Sequence, residues 1–201
     1  LHLFLSPLQQ GILVHLDYLE SHPQLYQNVF DGIAKQQKEA AFLRQACPLV
    51  THRVSKSKAA MVERQLIDVA ASTGVSLTSF LFFAVLSVLY EPNTGEQPMI
   101  GRGVLKPSQD YSDEMAYNAL ADLRSLEYLA AITGFPGPRT GLCTRDRFLA
   151  ALWVNMGVHN ARWTESAVSM DIHPTEQLLP RLTPAEIGRL MDRLGASHAQ
   201  P

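Results

Sequence analysis

Two short segments of this sequence carry acidic residues at positions where carboxylates can do chemistry. The first, Ser112 to Arg124, is predicted to form a helix with acids on one face. The second, Leu142 to Leu149, is predicted to begin as a short apolar strand that leads to Asp146. Oxygen ligands from two such elements can converge on one divalent cation. The sequence therefore indicates metal-assisted chemistry between these segments.

The predicted acidic helix has a polar stripe. On a wheel of 100° per residue, Glu114, Asn118, Asp122 and Ser125 fall on one arc. Glu114 and Asp122 lie about 12 Å apart along the axis at a rise of 1.5 Å per residue, so one ion cannot bind both directly. Asp113 lies on another side, where its charge complements the helix dipole. The alternative interpretation of the stripe is a solvated helix face.

Asp146 follows the strand that is predicted over residues 141–144. In open α/β sheets, ligand sites lie beyond the carboxyl ends of the strands. Asp146 or Thr144 is also well placed to cap the helix that follows. A cap and a metal ligand do not exclude each other, so both roles stay open.

Helical patterns dominate the rest of the chain. Helices are predicted at the Ser6-Pro7 start signal, over Pro23 to about Gln45, Ser55 to Ser72, Leu77 to Tyr90, Ser112 to Thr133, up to Gly157, and from the capping box Thr183-Pro184-Ala185-Glu186 onward. Short strands are predicted near 1–5, over 141–144 and within 162–172. Because helices separate these strands, we expect an α/β fold, mainly helical, with a small parallel sheet flanked by helices; the alternative is an all-α fold.

Two stretches have distinct composition. The helix Leu77 to Tyr90 is apolar nearly all round, and at about 14 residues it is shorter than the 20 or so that span a bilayer. It is predicted to lie in the core, and no membrane partner is expected. Residues 91–110 are punctuated by glycine and proline and are predicted to be irregular, with a short strand near 99–100. Arg102 and Lys106 there can contact phosphate or simply be solvated.

Length and composition limit the possibilities further. The chain has 201 residues, 46% hydrophobic and 18% charged, with a net charge of −2. We expect one globular domain over 1–195 and a frayed tail over 196–201. The charge gives no global basic field for nucleic acid. Two distant cysteines, Cys47 and Cys143, are expected to be free thiols, and without a signal-peptide pattern the expected location is cytoplasmic.

The acidic helix and the Thr144-Arg145-Asp146 segment together resemble the second half of a PIN-like nuclease domain, over roughly residues 99 to 170. In that family, an acid on a late helix precedes a strand that ends in Thr-x-Asp. The resemblance implies that Asp113 or Asp122 is the helix acid and Asp146 the strand-end acid. It also implies an endoribonuclease that uses Mg²⁺ or Mn²⁺. Ser6 stands where the family has its first aspartate, which leaves open a degenerate site.

Two functions are therefore expected as alternatives. The first is a PIN-like, metal-dependent ribonuclease in which Asp122 and Asp146, with Asp113 or Glu114, form the site and bind Mg²⁺ or Mn²⁺ on an RNA substrate. The second is a non-enzymatic helical interaction or regulatory module, which binds a protein partner or a second copy of itself. Convergence of the four acids in space would distinguish the two.

Overall fold

A computed structural model describes residues 2–5, 10–13, 23–92, 99–133, 141, 143–163 and 168–196 of the chain. Helices account for most of these residues. In chain order the elements are β1 (His2–Leu5), β2 (Gln10–Leu13), α1 (Pro23–Leu49), α2 (Lys56–Thr73), α3 (Phe80–Leu89), α4 (Ile100–Leu105), α5 (Asp113–Thr133), α6 (Arg147–Met156), β3 (Val158–Trp163), β4 (Val168–Ile172) and α7 (Pro184–Ala196).

The predicted mainly helical character is confirmed, but the predicted parallel sheet is wrong. The described strands form two antiparallel pairs, β1 with β2 and β3 with β4. Only residues 164–167 join β3 to β4, whereas a parallel connection needs a dozen or more residues. β2 also occupies part of the segment where the helix starting at Ser6-Pro7 was predicted; residues 6–9 and 14–22 lie outside the described part.

The strand predicted over 141–144 is not formed by the residues that the structure describes there. Gly141, Cys143 and Thr144 belong to no strand, and Leu142 lies outside the described residues. Cys143 is exposed, so this segment does not contribute the buried apolar strand that was expected. Asp146 therefore follows a surface loop, and its position is set by the helix that it begins.

The core is built around α3, as its composition predicted. Every residue of Phe80–Leu89 is buried, and the Phe82 ring lies 6.1 Å from that of Phe42 in α1. Ser79 caps the helix by accepting a hydrogen bond from the Phe82 N–H at 3.2 Å. No helix among the described residues is long and apolar enough to cross a membrane.

α4 is the main departure from the predicted irregular stretch, since residues 100–105 form a helix where a strand was expected near 99–100. Its glycines allow close packing. A Cβ at Gly101 would lie 2.4 Å from the Ala84 carbonyl oxygen of α3, and one at Gly103 would lie 2.1 Å from Cγ of Phe148. α4 is thereby held between the central helix and the start of α6, which fixes the residues that follow it.

Local signals at helix ends give the expected structures. Gly74 ends α2 at φ 71°, and Ser112 Oγ accepts a hydrogen bond from the Met115 N–H at the start of α5. Thr183 and Glu186 form the predicted capping box of α7. Ala196, expected in the frayed tail, is the last residue of α7, and 197–201 lie outside the described residues.

Candidate functional site

Asp146 is the N-cap of α6, which confirms one of its two predicted roles. Its Oδ1 accepts hydrogen bonds from the N–H groups of Phe148 at 2.8 Å and Leu149 at 3.0 Å. Thr144 Oγ1 in turn accepts one from the Asp146 N–H at 3.1 Å. These bonds use only one carboxylate oxygen, so the cap fixes the carboxyl group in place and leaves Oδ2 outside the capping interaction.

Asp122 is close enough to Asp146 for the two charges to interact. Asp122 lies in the middle of α5 and is partly buried. Burial raises its pKa above the ordinary value, and the negative charge of Asp146 raises it further. The two acids that the sequence proposed as metal ligands, one on α5 and one at the start of α6, therefore interact through their charges.

Lys106 is the third charged group at this place. Its positive charge lowers the pKa of Asp122, against the effects of burial and of Asp146. Lys106 ends α4 in a left-handed conformation, φ 48° and ψ 55°, which costs a non-glycine residue about 1–3 kcal/mol. Such strain persists where the surrounding structure imposes it. We refer to Asp122, Asp146 and Lys106 below as the acid pair with its lysine.

The other two predicted acids have different surroundings. Asp113 Oδ1 forms an ion pair with Arg44 Nη1 of α1 at 2.8 Å, and both side chains are exposed. Glu114 is exposed in the first turn of α5. Among the described residues, no group of three or more His, Cys, Asp or Glu side chains can hold one metal ion. The four acids therefore do not form one cluster.

Arg102, the other predicted phosphate contact, is committed to a structural ion pair. Its Nε and Nη2 donate to the two carboxylate oxygens of Glu91 at 2.7 and 2.9 Å, and its Nη1 donates to the Thr51 carbonyl oxygen at 2.8 Å. Glu91 is only 2% exposed. One sequence signal could have indicated this pair, because a carboxylate that directly follows an apolar core helix needs a cation beside it.

Two histidines also approach each other without having been predicted to do so. The ring centroids of His159 and His173 lie 5.5 Å apart. His159 is on β3, opposite Asp171 of β4, and His173 comes two residues after Asp171. Their separation along the sequence hid them from a search for histidines at metal-ligand spacing, since only the hairpin register places them together.

The donor set of the acid pair suits a hard divalent cation. Mg²⁺ is commonly held by one or two carboxylates, with waters and substrate phosphate oxygens as its remaining ligands. Asp122 and Asp146 supply carboxylate oxygens from two different elements, and Lys106 supplies a positive charge beside them. Two carboxylates alone are fewer protein ligands than a dedicated metal site has, so metal binding at this pair is taken up as a proposal below.

Comparisons of the chain with protein-family models, with curated proteins and with solved structures find no match. They assign the chain to no family, and the resemblance to PIN-like nucleases stays a prediction from the sequence. The chemistry of the acid pair with its lysine is therefore the basis for a functional assignment.

Proposed function

We propose that the protein is a metal-dependent hydrolase of RNA phosphodiesters, with Asp122 and Asp146 as ligands of Mg²⁺ or Mn²⁺. Two observations support the proposal: Asp146 is held in place as the N-cap of α6, and its negative charge adds to the effect of burial in raising the pKa of Asp122. The resemblance to PIN-like domains gives Asp113 or Asp122 as the late helix acid and Asp146 as the Thr-x-Asp acid, so Asp122 and Asp146 are one of the two pairs that it implies.

Each residue has a distinct role in this proposal. Asp146 is held rigidly by its cap, so it offers a fixed ligand. Asp122 is the partner whose ionised form is disfavoured by burial and by Asp146, and a cation beside both carboxylates favours that form. Lys106 contacts a phosphate oxygen as a point charge. The metal, when bound, polarises the phosphodiester and lowers the pKa of a bound water.

The proposed site rests on two acids, which bears on how strongly it binds metal. Asp113 is turned to Arg44 by an ion pair, and Glu114 is exposed. Both precede Asp122 by eight or nine residues on α5, about 12–14 Å along the helix axis, so neither completes the ligand set of an ion at Asp122. Without them, tight binding needs substrate phosphate oxygens to complete the ligand set, and the centre is weak or degenerate in the absence of RNA.

The test is titration of the protein with Mn²⁺ by calorimetry in the presence of a non-hydrolysable single-stranded RNA analogue, followed by cleavage of a fluorophore-labelled single-stranded RNA. Asp146→Asn is the key variant, because asparagine is as good an N-cap as aspartate but carries no charge. We expect it, and Asp122→Asn, to lose Mn²⁺ binding and cleavage while the fold persists. Asp113→Asn is the matched control and retains both. Wild-type protein that binds no Mn²⁺ and cleaves no RNA would refute the proposal.

A second candidate is the non-enzymatic helical module, favoured by the exposed face of α5. Tyr117 and Tyr128 are both exposed and lie three helical turns apart, on the same side of the helix. Large exposed aromatics on one face are suited to a protein partner or a second copy. Sedimentation velocity of wild type and of Tyr117→Ser/Tyr128→Ser tests this, because self-association through the face would be lost in the variant.

A cytoplasmic location is part of the same proposal. Cys47 and Cys143 are both free thiols, as the sequence predicted. Burial raises the pKa of Cys47 to about 12, so the thiol stays protonated and unreactive at neutral pH. Free cysteines of this kind are typical of a reducing compartment.

A further inference from the structure

We propose that the cleft between α2 and α7 binds a small organic anion, in which a carboxylate or phosphate group is joined to an apolar body. The cleft has a volume of about 520 Å³, within the range of about 300–1,000 Å³ that is usual for small-molecule sites. It shares no residue with the acid pair and its lysine. The inference therefore stands or falls independently of the proposed hydrolase activity.

A buried carboxylate, that of Glu63, lines the cleft, and Arg193 compensates its negative charge. Glu63 is only 8% exposed. The Tyr90 hydroxyl donates to its Oε2, and Arg193 Nη2 donates to its Oε1 at 2.6 Å. Burial, and next the hydrogen bond to Glu63, raise the pKa of Tyr90, so Tyr90 keeps the donated proton. Both oxygens of Glu63 are satisfied, and its charge does not repel an anion in the cleft.

The second carboxylate that lines the cleft, that of Glu186, also accepts hydrogen bonds within the protein. Glu186 Oε2 accepts hydrogen bonds from the Thr183 N–H at 2.8 Å and the Thr183 hydroxyl at 2.9 Å. These bonds lower the pKa of Glu186, with smaller contributions from the positive charges of Lys56 and Arg189. Glu186 therefore completes the N-terminus of α7 and stays ionised there.

Two arginines that line the cleft have guanidinium N–H groups that can donate hydrogen bonds to a ligand. Arg64 on α2 and Arg189 on α7 are both exposed and line the cleft. Within the described parts of the chain, neither guanidinium has a hydrogen-bonded or ion-paired partner, though Arg189 acts on Glu186 through its charge. A guanidinium offers a planar set of donors that matches a carboxylate or phosphate group in two-point contacts.

The walls of the cleft select the rest of the ligand. Ile67, Leu182 and Leu190 line it beside the arginines, so the site offers apolar surface next to positive charge. Free phosphate would use only the arginines, and a neutral hydrocarbon only the walls. A ligand that has both parts uses the whole cleft, which is why an aromatic or aliphatic oxyanion is the class that fits.

The experiment is calorimetric titration with phenyl phosphate, with benzoate as the carboxylate counterpart. Inorganic phosphate and phenol are the probes for the two halves. We expect phenyl phosphate or benzoate to bind about tenfold or more tightly than inorganic phosphate or phenol. Which of the two binds better identifies the anionic group. In parallel, amide chemical shifts should move at residues 60–67 and 182–193.

The variant Arg64→Gln/Arg189→Gln tests the recognition directly. Both side chains are exposed, so the fold should persist, and Mn²⁺ binding at the acid pair should be unchanged. We expect it to weaken phenyl phosphate binding by about tenfold or more. Lys58→Gln, an exposed cation on α2 that does not line the cleft, is the matched control and should bind as wild type does. Absence of saturable binding, or equal binding by the double variant, overturns the proposal.

Discussion

Two of the places where this protein holds a carboxylate near a cation are built in opposite ways. In the first, Glu91 is buried and both of its oxygens receive hydrogen bonds from Arg102. In the second, Asp122 is only partly buried, faces the like charge of Asp146, and has Lys106 nearby. The first arrangement compensates its charge fully, and the second leaves it partly uncompensated.

The two arrangements differ in what they contribute to the stability of the fold. A buried charge must be paired and hydrogen-bonded, since its desolvation cost would otherwise unfold the domain. Two carboxylates that repel each other near solvent make no such contribution to stability. Their repulsion raises the pKa of one of the two carboxyl groups, and a cation bound beside both would relieve that repulsion. α4 links the regions, because Arg102 lies within it and Lys106 ends it.

The largest expected effect is on the compensated region. Arg102→Ala removes both hydrogen bonds to Glu91 and leaves a buried carboxylate with Arg53 at 3.7 Å as its remaining cation. We expect the free energy of unfolding to fall by about 3–5 kcal/mol, measured by urea denaturation. Arg64→Ala, at an exposed arginine of α2, is the control and should change it by about 0.5 kcal/mol or less. Equal effects of the two would show that the Glu91 pair is dispensable.

The second largest effect is expected at Gly103 of α4, the helix that connects the two regions. In Gly103→Ala, the new Cβ would lie 2.1 Å from Phe148 Cγ, so the ring and the start of α6 must shift. We expect a loss of about 1–3 kcal/mol in the free energy of unfolding, together with weaker Mn²⁺ binding. Gly188→Ala is the control, because its Cβ meets nothing within 4 Å and it should stabilise α7 by about 0.5–1 kcal/mol. A Gly103→Ala protein with wild-type stability and unchanged Mn²⁺ binding would show that the packing of α4 against Phe148 does not position the acid pair with its lysine.

The third prediction separates the cap from the charge at Asp146. Asp146→Ala loses the hydrogen bonds to Phe148 and Leu149 and should lower the free energy of unfolding by about 0.5–2 kcal/mol. Asp146→Asn keeps the cap and should stay near wild-type stability. Both variants should lose Mn²⁺ binding. If Asp146→Asn is as unstable as Asp146→Ala, the charge itself is structural and the comparison fails.

The smallest effect is a pH dependence at Asp122. Its pKa in the folded protein lies above the ordinary value of 3.8, so the folded state holds this proton more tightly than the unfolded chain does. Stability from this group is therefore lost as pH rises from about that value through the raised pKa. Asp122→Asn should be more stable than wild type at neutral pH and equal to it at pH below 3.8. Thermal melts across pH measure this; a variant less stable at neutral pH would contradict the sign.

Much of the local structure was predictable because short-range rules decide it. The Thr183–Glu186 capping box, the left-handed Gly74 and the Ser112 cap were each read from residues within a few positions of one another. The burial of α3 followed from its lack of any polar face. The N-cap role of Asp146 was also predictable, since it comes directly before a predicted helix.

The sequence by itself determined the starts of α5 and α7, the end of α2 and which helix is central, because hydrophobic periodicity and capping depend on neighbouring residues. The tertiary structure alone decided the antiparallel pairing of the strands, the burial of Glu63 and Glu91, and the pairing of Asp113 with Arg44. In each of these cases the partner is distant in the chain or the burial depends on another helix. A pattern along one element cannot reveal such a partner, since charge compensation and strand pairing are properties of contacts in space.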